Sequence, residues 1–266
     1  MTAEHSSNYI GADTSWVDVG KGTRAFLTVP KRATGPFGAV ILGHERYGLV
    51  QHTLDLAAKF ASYGYACIAP DMASHWDGDK DALNRGDAHL ELTDEQITNY
   101  YALSLDHLLE RSDVDGQRIA AMGVCQSGGY PLLLNSVRHE VSVNLVFYGG
   151  NNTSEDVLAK CSAPILGIWG EKDHVISLDQ VHRFRASLDR LNKSYEFTVY
   201  ADMPHGWLND TMPGRYRQAA AEAAWSQTID FLGRVHAGAF SKNRVRRRFE
   251  SDVAVDYDYK KNVRLE

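Results

Sequence analysis

Three side chains in this sequence have the types and the chain order to carry out nucleophilic acyl transfer: Cys125, Asp173 and His205. Cys125 lies in Gly123-Val124-Cys125-Gln126-Ser127-Gly128-Gly129, after an apolar strand-like run and before a helical pattern. That is the setting of a nucleophile elbow, a sharp strand-to-helix turn that exposes one reactive side chain and needs small neighbours. A thiol there sits at a helix N-terminus, where the dipole favours the thiolate. The backbone N–H of Gln126 points to where an oxyanion would develop. Ser127 stands where glycine is usual, two residues after the cysteine. Alone, the turn is equally compatible with a buried, inert cysteine.

Asp173 lies in Trp169-Gly170-Glu171-Lys172-Asp173-His174, just after another apolar run. An acid in that place can orient an imidazole through its ring N–H, although loop aspartates also cap turns. His205, in Met203-Pro204-His205-Gly206-Trp207, is placed as a general base. A surface-loop role is the bland alternative for one of eleven histidines. The order decides: nucleophile, acid and histidine each follow a different predicted strand. His174 precedes the last of those strands and is not taken as the base.

The elements that must position these residues alternate along the chain. The patterns predict a hairpin from 15–19 and 23–29, then strands at 38–43, 65–71, 118–124, 141–149 and 164–170, and a last strand at 195–201. Helices are predicted at 51–63 and 93–111, from Ser127 onward, at 178–191 and at 215–235. Continuous apolar strands alternating with helices imply an α/β class protein with a mostly parallel central sheet and helices on both faces. Such sheets place their sites at the carboxyl ends of the strands.

Bulk properties narrow the function classes. The 266 residues suffice for one large domain. A net charge of −6 gives no reason to expect a nucleic-acid partner. No apolar run reaches the roughly 18 residues of a membrane span, and MTAEHSSNYI lacks the pattern of a signal peptide. Cys67, Cys125 and Cys161 are odd in number and widely spaced, matching neither a disulfide framework nor a zinc motif. A reducing cytoplasm is the expected setting. His44-Glu45 lacks the second histidine of a metal-binding H-E-x-x-H. No metal or organic cofactor is expected.

From about residue 10 to about 235 the sequence resembles the dienelactone hydrolase (carboxymethylenebutenolidase) family of the α/β-hydrolase superfamily. The matching pieces are Gly-x-Cys-x-x-Gly-Gly at 123–129, Gly170-x-x-Asp173, His205, Tyr216 and the alanine-rich helix ending Thr228-Ile229-Asp230-Phe231-Leu232. His44-Glu45-Arg46-Tyr47-Gly48 after the strand at 38–43 looks like the family's glutamate followed by an aromatic and a glycine. The resemblance implies an α/β-hydrolase fold and hydrolysis of a small ester or lactone, the chemistry of aromatic degradation, through Cys125, His205 and Asp173. It implies that Glu45 contacts the resting thiol and helps generate the thiolate when substrate displaces it. It gives the Arg46 N–H as the second oxyanion donor beside that of Gln126. A carboxylate beside a thiol would keep it protonated and protected from oxidation.

The family binds the substrate carboxylate with two arginines. One lies four residues after the histidine, which here is Asn209; the other lies between the fourth strand and the following helix, where Arg85 is the one arginine and a solvated loop charge is its equal alternative. Arg46, Arg215 or Arg217 are substitute cations, and Tyr47, His75, Trp76 and Trp207 are expected near a more apolar pocket. The domain is expected to span 1–236, with 237–266 a charged extension. Arg244, Arg246, Arg247 and Arg248 form a basic cluster there, and Val253, Val255, Tyr257 and Tyr259 alternate like a strand. The extension reads as a solvated tail or as an arm pairing two copies in a homodimer, ahead of a nucleic-acid contact. The alternative function is a non-catalytic binding or regulatory relative of the same fold.

Overall fold

The computed structural model describes residues 11–31, 33–150, 152–240 and 244–251. The strands are β1 (Ala12–Asp18), β2 (Arg24–Pro30), β3 (Phe37–Leu42), β4 (Tyr65–Pro70), β5 (Val114–Val124), β6 (Val141–Phe147), β7 (Ile165–Lys172), β8 (Tyr195–Pro204) and β9 (Arg247–Ser251). They form one sheet in the order β1-β2-β4-β3-β5-β6-β7-β8-β9. β2 pairs antiparallel with both β1 and β4, and every other pairing is parallel. The chain therefore has the mostly parallel sheet of an α/β-hydrolase fold.

Strand side chains divide between the two faces with period 2. Val40, Leu42 and Met122 join a core with Phe60 of helix α1 (Gln51–Ser62) and Phe231 of α7 (Gln218–His236). The intervening Ile41 and Ala121 join a second core with Tyr101 and Leu105 of α3 (Asp94–Leu109). Both faces being covered explains why β3 reads as an unbroken apolar run. Each fully buried Phe or Leu contributes about 1.5–3 kcal/mol.

The predicted elements form, with ends shifted by a few residues, and three more appear. Two are the six-residue helices α2 (Lys80–Arg85) and α5 (Glu155–Lys160). The third is β9, which corrects the expectation that the strand at 195–201 is the last. β9 lies beside β8, with Arg247 opposite Tyr195. Phe249 packs under the Arg185 guanidinium at 4.4 Å, from α6 (Leu178–Arg190). Val253, Val255, Tyr257 and Tyr259 lie outside the described residues.

Parallel register brings the carboxyl ends together. Leu42 pairs with Met122, Val124 with Phe147, Phe147 with Ile168, and Lys172 with Pro204. The residues immediately after β5, β6, β7 and β8 are Cys125, Tyr148, Asp173 and His205, and Glu45 follows β3 closely. No helix among the described residues is long and apolar enough to cross a membrane.

Candidate active site

Cys125 opens a 3-10 turn (Cys125–Gly129) that runs into helix α4 (Tyr130–Val137). Its φ of +58° is a left-handed conformation that costs a non-glycine residue roughly 1–3 kcal/mol. The neighbours secure it. A Cβ at Gly123 would fall 1.9 Å from the Ser127 carbonyl oxygen, and one at Gly149 would fall 2.2 Å from the Cys125 carbonyl oxygen. Ser127, where glycine is usual, adds a staple: its Oγ donates to Val124 O at 3.0 Å and accepts from Val124 N at 2.9 Å.

The thiol faces the histidine. Cys125 Sγ lies 3.1 Å from His205 Nε2, and His205 Nδ1 lies 2.8 Å from Asp173 Oδ2. A carboxylate can only accept, so the ring hydrogen on Nδ1 is fixed against Asp173 and Nε2 is left for the thiol. Asp173 is fully buried, and its Oδ1 accepts from the N–H groups of Val175 at 2.7 Å and Ile176 at 2.9 Å. Burial works to lower the His205 pKa. Hydrogen bonds to Asp173 and Cys125 and their charges outweigh it, and the ring is pushed up to about 10. The other two cysteines are of a different kind: burial raises Cys67 well above the ordinary thiol range and Cys161 to about 12. Both are buried, whereas Cys125 is partly exposed in the site.

Glu45 is buried in the same cavity. Its Oε2 accepts from Asn209 Nδ2 at 2.6 Å and its Oε1 from Tyr148 Oη at 3.4 Å. Tyr148 is held at φ +34° with its ring edge-on to His205, centroids 5.1 Å apart. Burial, then the charge of Glu45, pushes the Tyr148 pKa well up, so the phenol stays a donor.

The cavity over Cys125 has a volume of about 590 Å³, within the usual range for small-molecule sites. Arg46, Tyr47 and Gln126 are among its lining residues, and so is Arg215. Arg46 Nη2 donates to Gly86 O at 2.8 Å. Arg215 passes close to Gly206, next to His205. His174 also lines the cavity, its ring centroid 5.9 Å from that of His205, while Asp173 bonds His205 and not its neighbour. Among the described residues no cluster of His, Cys, Asp or Glu could hold a metal ion.

Six residues expected at the pocket are not among those lining the cavity. Arg85, at the end of α2, is 62% exposed and pairs with Asp87 at 3.1 Å, off the cavity. Trp207 is fully buried, packed against Tyr148 and Tyr200. Asn209 is buried behind the cavity wall, holding Glu45. Arg217 turns to the carbonyls of Gly214 and Tyr216. His75 is exposed, facing Thr23 and Tyr100, and Trp76 packs on the second core. Tyr148 and Tyr130 were not singled out from the sequence, yet both line the cavity. Tyr148 was legible by the rule that found the triad, since it directly follows a strand.

Comparison with known proteins agrees with this architecture. The dienelactone hydrolase family model matches residues 23–236. A Yersinia pestis relative named for carboxymethylenebutenolidase activity is 26% identical over 251 residues, covering 87% of this chain and 94% of its own. A similarly named Escherichia coli K12 relative is 26% identical over 231 residues, covering 82% and 85%. Among solved structures, a dienelactone hydrolase-like promiscuous phosphotriesterase from metagenomic libraries superposes with TM-score 0.71 at 19% identity, over 84% of this chain and 98% of its own. The dienelactone hydrolase from Anabaena variabilis superposes with TM-score 0.61 at 21% identity, over 80% and 95%. At those identities the structural likenesses speak for the fold.

Proposed function

The chain belongs to the dienelactone hydrolase family and is a carboxylic ester hydrolase; we propose that it cleaves a small ester or lactone through an acyl-enzyme on Cys125. The observation that carries this reading is the continuous line from Cys125 Sγ through His205 to Asp173, with contacts of 3.1 and 2.8 Å, at the floor of a cavity. Sγ attacks the carbonyl carbon as the thiol proton passes to Nε2. The carbonyl oxygen becomes an oxyanion between the Gln126 and Arg46 N–H groups. Collapse breaks the bond to the alcohol oxygen, which takes the proton from Nε2. Water, deprotonated by His205, then attacks the thioester and releases the acid and the thiol. Asp173 keeps the ring oriented throughout.

Arg46 and Arg215 give the cavity two guanidinium groups, which suit a substrate with a carboxylate away from the scissile bond. The partner is a small molecule; neither nucleic acid nor membrane enters the reading. Three free cysteines among the described residues suit a reducing, cytoplasmic setting. Steady-state hydrolysis of p-nitrophenyl acetate and of carboxylate-bearing lactones by wild type and Cys125→Ala tests the reading. Cys125→Ala is expected to lose essentially all turnover, and full activity in that variant ends the proposal.

A further inference from the structure

We propose that the side of the cavity built by α3, α4 and α5 is an acyl pocket, and that the substrates of this chain are esters whose acyl part is an uncharged apolar group larger than acetyl. The inference rests on the reading of Cys125 as the attacking nucleophile and names the substrate class of that site.

The cavity over Cys125 holds about 590 Å³. At the roughly 30 Å³ taken by one water-sized group, it admits on the order of 20 such groups, more than a single lactone ring fills. One wall, drawn from elements other than the loop of His205, is apolar: Ile97 of α3, Tyr130 and Leu133 of α4, and Val157 of α5. Tyr130, Leu133 and Val137 are three and four residues apart, so they share one face of α4. The base of this wall is held in place. The Tyr130 ring meets that of buried Tyr101 edge-on, centroids 6.2 Å apart, and Gln126 Nε2 donates to Leu90 O at 2.7 Å. The alcohol oxygen of the substrate takes its proton from His205 Nε2, so the alcohol part departs on the histidine side. The acyl part is left for the wall of α3, α4 and α5.

The wall does not end at the cavity. Leu133 and Val157, with Asp94, also line a second groove of about 670 Å³. Ala102 and Val137 continue its floor, and Val137 is 58% exposed. An apolar path therefore leads from the thiol over Leu133 and Val157 toward Val137, and its continuity with the nucleophile marks substrate as the occupant. Asp94 and Glu95 outnumber Lys21 among the charged residues of the groove. They oppose a carboxylate at the far end of the path, so the group that fits there is neutral. Each CH₂ of an acyl chain laid along it is worth about fourfold in kcat/KM when fully buried and about twofold when half-buried.

The test varies the acyl part and holds the alcohol constant. kcat/KM is measured for p-nitrophenyl acetate, butyrate and hexanoate with wild type, Val157→Asp, Leu133→Ala and, as a control at the exposed far end of α3, Leu109→Ser. Wild type is expected to gain about two- to fourfold per added CH₂. The hexanoate-to-acetate ratio is expected to fall at least about threefold in Val157→Asp and in Leu133→Ala, and to stay within about twofold of wild type in Leu109→Ser. Because the readout is a ratio, a general loss of folded protein cancels. A flat or falling wild-type profile, an unchanged ratio in either pocket variant that folds, or an equal fall in Leu109→Ser overturns the proposal. Turnover that survives Cys125→Ala removes the proposed function and the pocket with it, whereas Cys125-dependent turnover with a flat profile removes the pocket alone.

Discussion

Replacing Asp173 by asparagine removes one charge and leaves the shape of the site intact. Asp173 Oδ1 accepts two backbone N–H groups, from Val175 and Ile176. Those buried donors require an acceptor, so the amide oxygen of an asparagine takes that place. Its N–H₂ then falls opposite His205 Nδ1, where Oδ2 now sits at 2.8 Å. Nδ1 is forced to accept, the ring hydrogen moves to Nε2, and Nε2 can no longer take a proton from Sγ. The carboxylate is also one of the two supports that lift His205 from 6.5 to about 10 against its burial. Losing that support together with the correct tautomer predicts a fall in kcat/KM of roughly 10²–10⁴-fold. The assay is p-nitrophenyl acetate hydrolysis from about pH 6 to 9, with a thermal melt to confirm that the fold survives. A folded Asp173→Asn protein within tenfold of wild type across that range would refute the assignment of Asp173.

Arg215→Ala is expected to raise KM for a carboxylate-bearing ester about tenfold, whereas Arg85→Ala, off the cavity, should shift it by less than about twofold; steady-state kinetics on one such ester separates them. Gly123→Ala puts a Cβ 1.9 Å from the Ser127 carbonyl oxygen and is expected to cost more than about 3 kcal/mol, read as a fall in the urea midpoint. Burial, with help from the Arg118 charge, lowers His236 from 6.5 to about 4. Between those values the unfolded chain binds a proton that the folded chain does not, so stability rises with pH there and is lost on acidification. Discounted for partial exposure, the penalty is about 1 kcal/mol. His236→Gln is expected to flatten the loss of Tm between pH 6.5 and 4, and an unchanged acid limb would contradict it.

That Cys125, Asp173 and His205 would meet was legible because their placement depends on a feature that sequence carries well. Continuous apolar strands mark a sheet covered on both faces, parallel pairing aligns their carboxyl ends, and chemistry collects there. The cavity wall was less legible, because sequence distance from a catalytic residue does not say which way a side chain points. Trp207, two residues after His205, turns fully into the core. Arg85 ends a helix whose Gly86 cap at φ +82° turns the chain away, and it pairs with Asp87 on the surface. The helices α2 and α5 are too short to display a 3.6-residue period. β9 escaped for another reason: Arg247-Arg248-Phe249-Glu250-Ser251 is an edge strand with mostly exposed, charged side chains, the composition that guards a free edge. Its attachment comes from Phe249 and from the Arg247–Asp189 pair at 3.2 Å.

Asn209 illustrates how one departure from a family pattern redistributes work over several loops. A guanidinium four residues after the histidine could both restrain Glu45 and bring positive charge to the cavity. An amide can do only the first, and it does so with a 2.6 Å bond from a side chain that is 1% exposed. Positive charge then has to enter from elsewhere, and Arg46 and Arg215 line the cavity from separate segments. Neither is interchangeable with the missing arginine. Arg46 is anchored to the Gly86 carbonyl and stacks over Tyr47 at 5.6 Å, so its reach is limited. Arg215 approaches along Gly206, on the side of the histidine. Glu45 and Arg46 share the loop after β3, and Asn209 and Arg215 share the segment between β8 and α7, so the restraint on the acid and the supply of positive charge are built on the same two segments.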